Sequence, residues 1–412
     1  VSINSDVIVG GLKTEDCFRG GVTVVGGNSI IDIDGMIGEN ANLHIELDGG
    51  GNDTDTPYKI IGSFKNISID KERGLNTPWG GFYYTNSAGS SVNFENVKVY
   101  SRNFHIEGTT IGSDLTRSFL SSADFHNCHF IVSGTSRVFF PRGMNFHNCT
   151  FKYKMLDDAT ADNNGMLWYW RTSSGSAPIG QISNFYDCKF IGDTVNGLKF
   201  RSAFAVDATP NSAFGFLNAY RCTFSGFRYG MYAPYGFRGE HHDCTYDSEI
   251  GMLVGSTTLV GGGSLKFKLK NPTFTKNCTL ALSILEALND GTTELEFVDV
   301  SIDRSKLNQA NLPTINGTLK GFLEVISDVA PNPLSTSVDT LWGGTRWKVL
   351  ANTAIPVYEY VNTAANGVKN KDTWLASVFI TKTGNTASRP TLTKFDVGVT
   401  YFNTETNKVE FW

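Results

Sequence analysis

A six-residue phrase recurs along this chain, and only the distance between its copies varies. It reads aromatic or apolar, any residue, Asn or Asp, small apolar, any residue, aromatic or apolar. Strong copies occupy 64–69, 94–99, 125–130, 146–151 and 185–190, and weaker ones follow at 219–224, 241–246, 269–274 and 297–302. The third position falls at 66, 96, 127, 148, 187, 221, 243, 271 and 299, with Arg221 the one departure from Asn or Asp. Steps of 30, 31, 21, 39, 34, 22, 28 and 28 residues separate the copies. A repeat that tolerates such insertions fits a stack in which each unit touches only its neighbours.

Within the phrase the small apolar residue and the final aromatic lie two apart, as on one face of a strand. The first aromatic lies three before the small residue, so both point inward only if the chain bends between them. The bend falls on Asn or Asp, which after glycine best tolerate a left-handed backbone. Strand, one-residue corner and strand is how a coil of parallel strands turns without a hairpin. We therefore expect an all-β chain: a right-handed parallel β-helix followed by a small C-terminal β domain. Eight steps at one strand spacing would make a rod section of roughly 40 Å. A β-sandwich is the competing fold, and nine copies in one register speak against it.

The 43 glycines, 29 phenylalanines and 15 tyrosines suit a β-rich chain. A net charge of -5 without a basic run argues against nucleic acid or an anionic membrane as principal partner. No run of 18 apolar residues suggests membrane insertion. The chain starts at Val1 with no visible secretion signal, which suggests a processed or trimmed product. Five of the seven cysteines (Cys128, Cys149, Cys188, Cys222 and Cys244) share the small apolar slot, so we expect a buried ladder of free thiols. The repeat lacks paired C-x2-C ligands for zinc, and neither metal nor cofactor is expected. His241-His242 reads as a surface pair.

Residues 1–50 are Gly-rich with short apolar runs and read as first, irregular coils or a cap. The regular coil spans 51–325, a Pro-containing linker 326–334, and a Trp- and Thr-rich β segment 335–412, for trimerisation or carbohydrate binding.

The last segment contains Arg389-Pro390-Thr391, then Gly398-Val399-Thr400-Tyr401-Phe402-Asn403-Thr404, then Asn407-Lys408-Val409-Glu410-Phe411-Trp412. These motifs, about 25 residues long, resemble the C-terminal ending of many bacteriophage tail proteins, where Pro usually stands at the place of Val409. A right-handed β-helix with such an ending resembles phage tailspikes. The resemblance implies a homotrimer on the virion tail that binds, and often cuts, bacterial surface polysaccharide. It leaves room for other tail or baseplate proteins as partners through an absent N-terminal anchor.

Two outward columns flank the first aromatic: Asn93, Asp124, Asn145, Asn184, Asn218, Glu240, and Glu95, His126, His147, Tyr186, Tyr220, His242. Such side chains suit a polyhydroxylated ligand that needs hydrogen bonds and flat apolar faces; they equally suit a solvated face whose amides ladder for stability. The two longest steps hold Asp157, Asp158, Trp168, Trp170 and Arg171, then Arg201 and Asp207. The next short step holds Tyr229, Tyr232, Tyr235 and Arg238, so exposed aromatics and arginines concentrate here, as a sugar groove or a trimer interface. A glycosidase needs two carboxylates about 5–10 Å apart, one or two strand steps. Asp157 or Asp158, Asp207 and Glu240 are the candidates. A lyase would instead use a base such as Arg201, Tyr220, Arg238 or His242. The expected activity is a polysaccharide depolymerase, a hydrolase before a lyase. The alternatives are a non-enzymatic receptor-binding or structural tail fibre, and a secreted bacterial β-helical enzyme.

Overall fold

All nine third positions of the phrase take the left-handed conformation, with φ between 45° and 56° from Asn66 to Asp299, Arg221 included at 54°. The phrase therefore folds as its pattern dictates, one strand on each side of a one-residue corner. These observations come from a computed structural model that describes residues 5–15, 22–25, 29–39, 45–48, 60–69, 82–86, 91–101, 104–108, 122–133, 144–154, 168–170, 182–206, 216–233, 237–254, 265–284, 293–307, 317–329, 331, 341–349, 358–365, 369–370, 374–376, 382–384, 400–403, 405 and 408–411.

Strands on either side of the corner pair in parallel with their counterparts in the next repeat. Before it, Phe125 lies opposite Phe146 and Phe146 opposite Phe185; after it, Phe130 meets Phe151, Phe151 meets Phe190 and Phe190 meets Phe224. Backbone bonding continues through the bend, where the Asn127 and Asn148 amides donate to the His147 and Tyr186 carbonyls, each at 2.9 Å. The result is nearly all β, with one mostly parallel sheet joining 21 described strands. Among the described residues no helix is long and apolar enough to cross a membrane.

The chain between one phrase and the next contributes smaller sheets. Val22–Val25, Ile45–Asp48, Phe82–Asn86 and Phe104–Gly108 form one parallel set, and Tyr229–Ala233, Ile250–Val254 and Leu280–Ile284 another.

Inward residues stack like upon like. Phe64, Phe94, Phe125, Phe146 and Phe185 form one ring column, with centroids 4.6–5.3 Å apart. Phe130, Phe151, Phe190, Phe224, Tyr246 and Phe274 form a second. Burying each ring stabilises by about 1.5–3 kcal/mol. The five slot cysteines are free and buried between these columns, and each thiol donates to the carbonyl two residues before it. Cys278, outside the slot, is buried too, with its thiol 3.3 Å from the Tyr246 carbonyl. His241 corrects an expectation. It fills an inward slot with no exposed surface, its Nδ1 2.7 Å from the Tyr246 hydroxyl, so the His241-His242 dipeptide is not a surface pair.

Both ends of the ladder turn on glycine. Ser5–Glu15 and Ser29–Glu39 are full members of the sheet, with Met36 opposite Ile67 and Gly35 at the corner (φ 83°). At the other end Gly321 turns the Gly317–Ser327 strand (φ 72°), and a side chain there would meet the Phe297 carbonyl oxygen at 1.8 Å. Beyond the stretch read as a linker, 326–334, described strands return to the main sheet. Gly317–Ser327 pairs in parallel with Arg346–Val349, and Tyr358–Asn362 and Trp374–Ala376 then add antiparallel. Trp342, Trp347 and Tyr360 belong to the same core as Val325, with Trp342 stacked 6.4 Å from Phe297. Aromatic side chains from this segment thus cover the last repeat. Lys382–Gly384, Thr400–Asn403 and Lys408–Phe411 form a separate sheet, and Leu341–Trp342 pairs with Lys369–Asn370 in another. The first part of the phage-like ending, residues 389–399, lies outside the described residues.

Candidate functional site

Of the two outward columns expected from the phrase, the first is a continuous ladder from Asp124 to Glu240 and the second from His126 to Tyr220. In the first, Asn145 Nδ2 donates to Asp124 (2.8 Å), Asn184 to Asn145 (3.0 Å) and Asn218 to Asn184 (3.1 Å), and the Glu240 amide donates to Asn218 Oδ1 (3.2 Å). In the second, the rings of His126, His147, Tyr186 and Tyr220 stack in turn at 4.7, 4.9 and 5.0 Å. The stacking consumes the ring faces, so this column presents edges, hydroxyls and ring nitrogens rather than flat apolar platforms. Burial, and then the neighbouring His126, hold His147 below the ordinary histidine value.

The columns converge on Glu240. Tyr220 donates to its Oε1 at 2.6 Å, and His242 Nε2 lies 3.1 Å from its Oε2. Burial alone would raise this carboxyl; the Tyr220 hydroxyl, then His242 and Lys268, outweigh burial and hold it below the ordinary carboxylate range. Burial and the facing carboxylate push the Tyr220 phenol up, so it acts as a donor and is a poor base. From Glu240 the first column continues through Lys268, Glu296 and Lys320 in direct register, and beside it run Arg238, Lys266 and Glu294. Ion pairs tie Lys266 to Glu294 (2.8 Å) and Lys268 to Glu296 (3.0 Å). An open groove of about 340 Å³ follows these side chains from Asn218 to Lys320.

Of the candidates named from sequence, Tyr186, Tyr220, Glu240, His242 and Arg238 thus share one outer face. A second group lies on the smaller sheet. The Arg201 guanidinium stands 4.5 Å over the ring of Tyr232, which packs with Leu253 and Tyr229. The expected exposure of aromatics in this stretch is corrected: Tyr232 is buried and Tyr229 half-buried. Both sit in the Tyr229–Ala233 strand, where pairing and packing cover them. Trp168 and Trp170 lie in a strand that pairs with Phe204–Val206. Asp157, Asp158, Arg171, Asp207 and Tyr235 lie outside the described residues, and with them the expected carboxylate partners of Glu240.

Sequence reasoning missed the charged half of the groove. The signal was there in Lys266-Phe267-Lys268-Leu269-Lys270 and Glu294-Leu295-Glu296-Phe297, where charge alternates with core residues at a period of two. Chemically the face offers aligned amide, phenol, imidazole, carboxylate and ammonium groups on a rigid frame, suited to a polar polymer lying across the strands. Comparison of the chain with protein-family models, with curated proteins and with solved structures returns no match in any of the three.

Proposed function

We propose that this chain is a right-handed parallel β-helix from a bacteriophage tail protein, acting on the virion tail as a homotrimer that binds bacterial surface polysaccharide and cleaves it by glycosidic hydrolysis. The observation that carries the reading is the unbroken outward ladder from Asp124 to Glu240 opening into the groove. Side chains repeating once per strand step suit a ligand that itself repeats, and three-fold assembly multiplies weak sites into avidity. The coil reading is supported by parallel pairing at the corners and by the main core that runs through the described repeats.

Binding without cleavage is favoured by one observation: both Glu240 oxygens already accept hydrogen bonds, which suits a fixed ligand contact better than a group that must trade a proton. Incubation with purified capsule or lipopolysaccharide separates the two. New reducing ends indicate hydrolysis, an ultraviolet-absorbing unsaturated product indicates a lyase, and co-sedimentation with intact polymer indicates a binder. Neither binding nor shortening of any surface polysaccharide would sink the proposal. Light scattering at about 45 kDa for the folded protein, the mass of one chain, would remove the trimer.

A further inference from the structure

The groove carries charge of both signs in a fixed order. Its six charged lining residues are three lysines (266, 268 and 320) and three glutamates (240, 294 and 296), so its formal charge is zero. The four in the middle cancel pairwise through the ion pairs Lys266–Glu294 and Lys268–Glu296. The two ends do not. Glu240 has only a hydroxyl and an imidazole on its oxygens, and Lys320 is exposed and makes no ion pair among the described residues. Three register steps separate them, through Lys268 and Glu296, or about 14 Å at one strand spacing per step.

A uniformly acidic polymer would meet repulsion at Glu240 and at the paired glutamates, and a uniformly basic one at the lysines. A neutral chain would leave both end charges uncompensated as it displaced their water, which costs affinity. We propose that the groove selects a zwitterionic saccharide, with an ammonium-bearing sugar at Glu240 and an acidic sugar at Lys320. The stretch between them is on the order of three units, one per strand step. This rests on the polysaccharide-binding reading above and specifies its substrate class.

Four hexasaccharides of matched length test it by calorimetry on the intact chain: chitin (neutral), chitosan (cationic), hyaluronan (anionic) and N-deacetylated hyaluronan (zwitterionic). The zwitterionic chain is expected to bind at least about ten-fold tighter than the other three, and Glu240→Gln and Lys320→Gln to cost it about ten-fold each, the scale of one charge-assisted hydrogen bond. Melting should be unchanged in Lys320→Gln and slightly lower in Glu240→Gln, which loses the carboxylate that Tyr220 and His242 hold. Lys266→Gln, which removes one internally paired charge, should cost less than Lys320→Gln. Zwitterionic binding no tighter than that of any one of the other three overturns the inference, as does unaltered binding by both end variants or binding of none of the four. Co-sedimentation with whole capsule or lipopolysaccharide then tells whether only the charge selectivity has failed or the polysaccharide reading with it.

Discussion

The repeats from residue 64 to 190 and those from 219 to 274 share one backbone but fill it differently. In the first group phenylalanine occupies the leading slot every time, and every corner is Asn or Asp. In the second, Ala219, His241 and Leu269 take that slot, and Arg221 takes a corner. Two of these departures come with a local partner. His241 shares a hydrogen bond with Tyr246, which replaces phenylalanine in its own column, and Arg221 grips Asp187 of the preceding repeat through Nε and Nη2 at 2.7 and 2.8 Å. The outer face changes over the same stretch, from amides and stacked rings to alternating charge. Uniform repeats stabilise by repetition, whereas irregular ones depend on specific partners and carry the groove.

The largest test is in the uniform region. Phe146→Ala should cost about 3–5 kcal/mol in urea unfolding, since the ring is sandwiched between Phe125 and Phe185 and the column cannot close over the gap. A cost near that of a surface substitution would mean the columns contribute less than repetition implies.

Next is a pH effect confined to the irregular region. Burial, and then His242, push His241 down to about 3 from the ordinary 6.5. Below 6.5 the unfolded chain takes up a proton that the fold refuses, so this contribution is complete above 6.5 and shrinks as pH falls toward 3. At pH 4 the loss should be about 3 kcal/mol relative to neutral pH. Replacing His241 and Tyr246 together by phenylalanine should remove that part of the slope and leave no hydroxyl stranded. Identical slopes in wild type and double variant would end this account of the region.

The corners give smaller effects. Asn148→Val places a β-branched residue at φ 52° and removes the amide that donates to Asn127 at 2.7 Å; a loss of about 1–2 kcal/mol is expected. The smallest effect carries the opposite sign. Arg221→Asn should raise the melting midpoint slightly. Asn suits the corner better, and it can donate to Asp187 as Asn271 does to Asp243, while the exposed ion pair it replaces contributes little. A clear drop would show that Arg221 is required rather than tolerated.

Corners, core columns and outward ladders were legible in the sequence because one register governs all three. The ladder's ends were not. Glycine at 35 satisfies the left-handed corner without the Asn or Asp that advertises it, and Gly321 bends its strand opposite Phe297, off the register of the corner at Asp299. Asp328 to Pro333 looks like a linker whether or not Trp342 and Trp347 return to the core. At the site, Glu240, Tyr220 and His242 were each legible as outward residues. Their convergence was not, because it depends on side-chain reach between neighbouring strands. The lysines and glutamates beyond Glu240 read as an ordinary solvated face, and only the three-dimensional register shows which pairs cancel and which ends remain.

Corner-to-corner steps range from 21 to 39 residues while the register stays constant. For evolution this splits the gene into two kinds of sequence. A single residue gained inside a phrase shifts every side chain beyond it to the opposite face and is lethal to the core. Whole segments gained between phrases leave the pairing of the phrases untouched. New surface can therefore be acquired by insertion or recombination at those junctions, one loop at a time, at a rate set by selection on the perimeter rather than by the tolerance of the core.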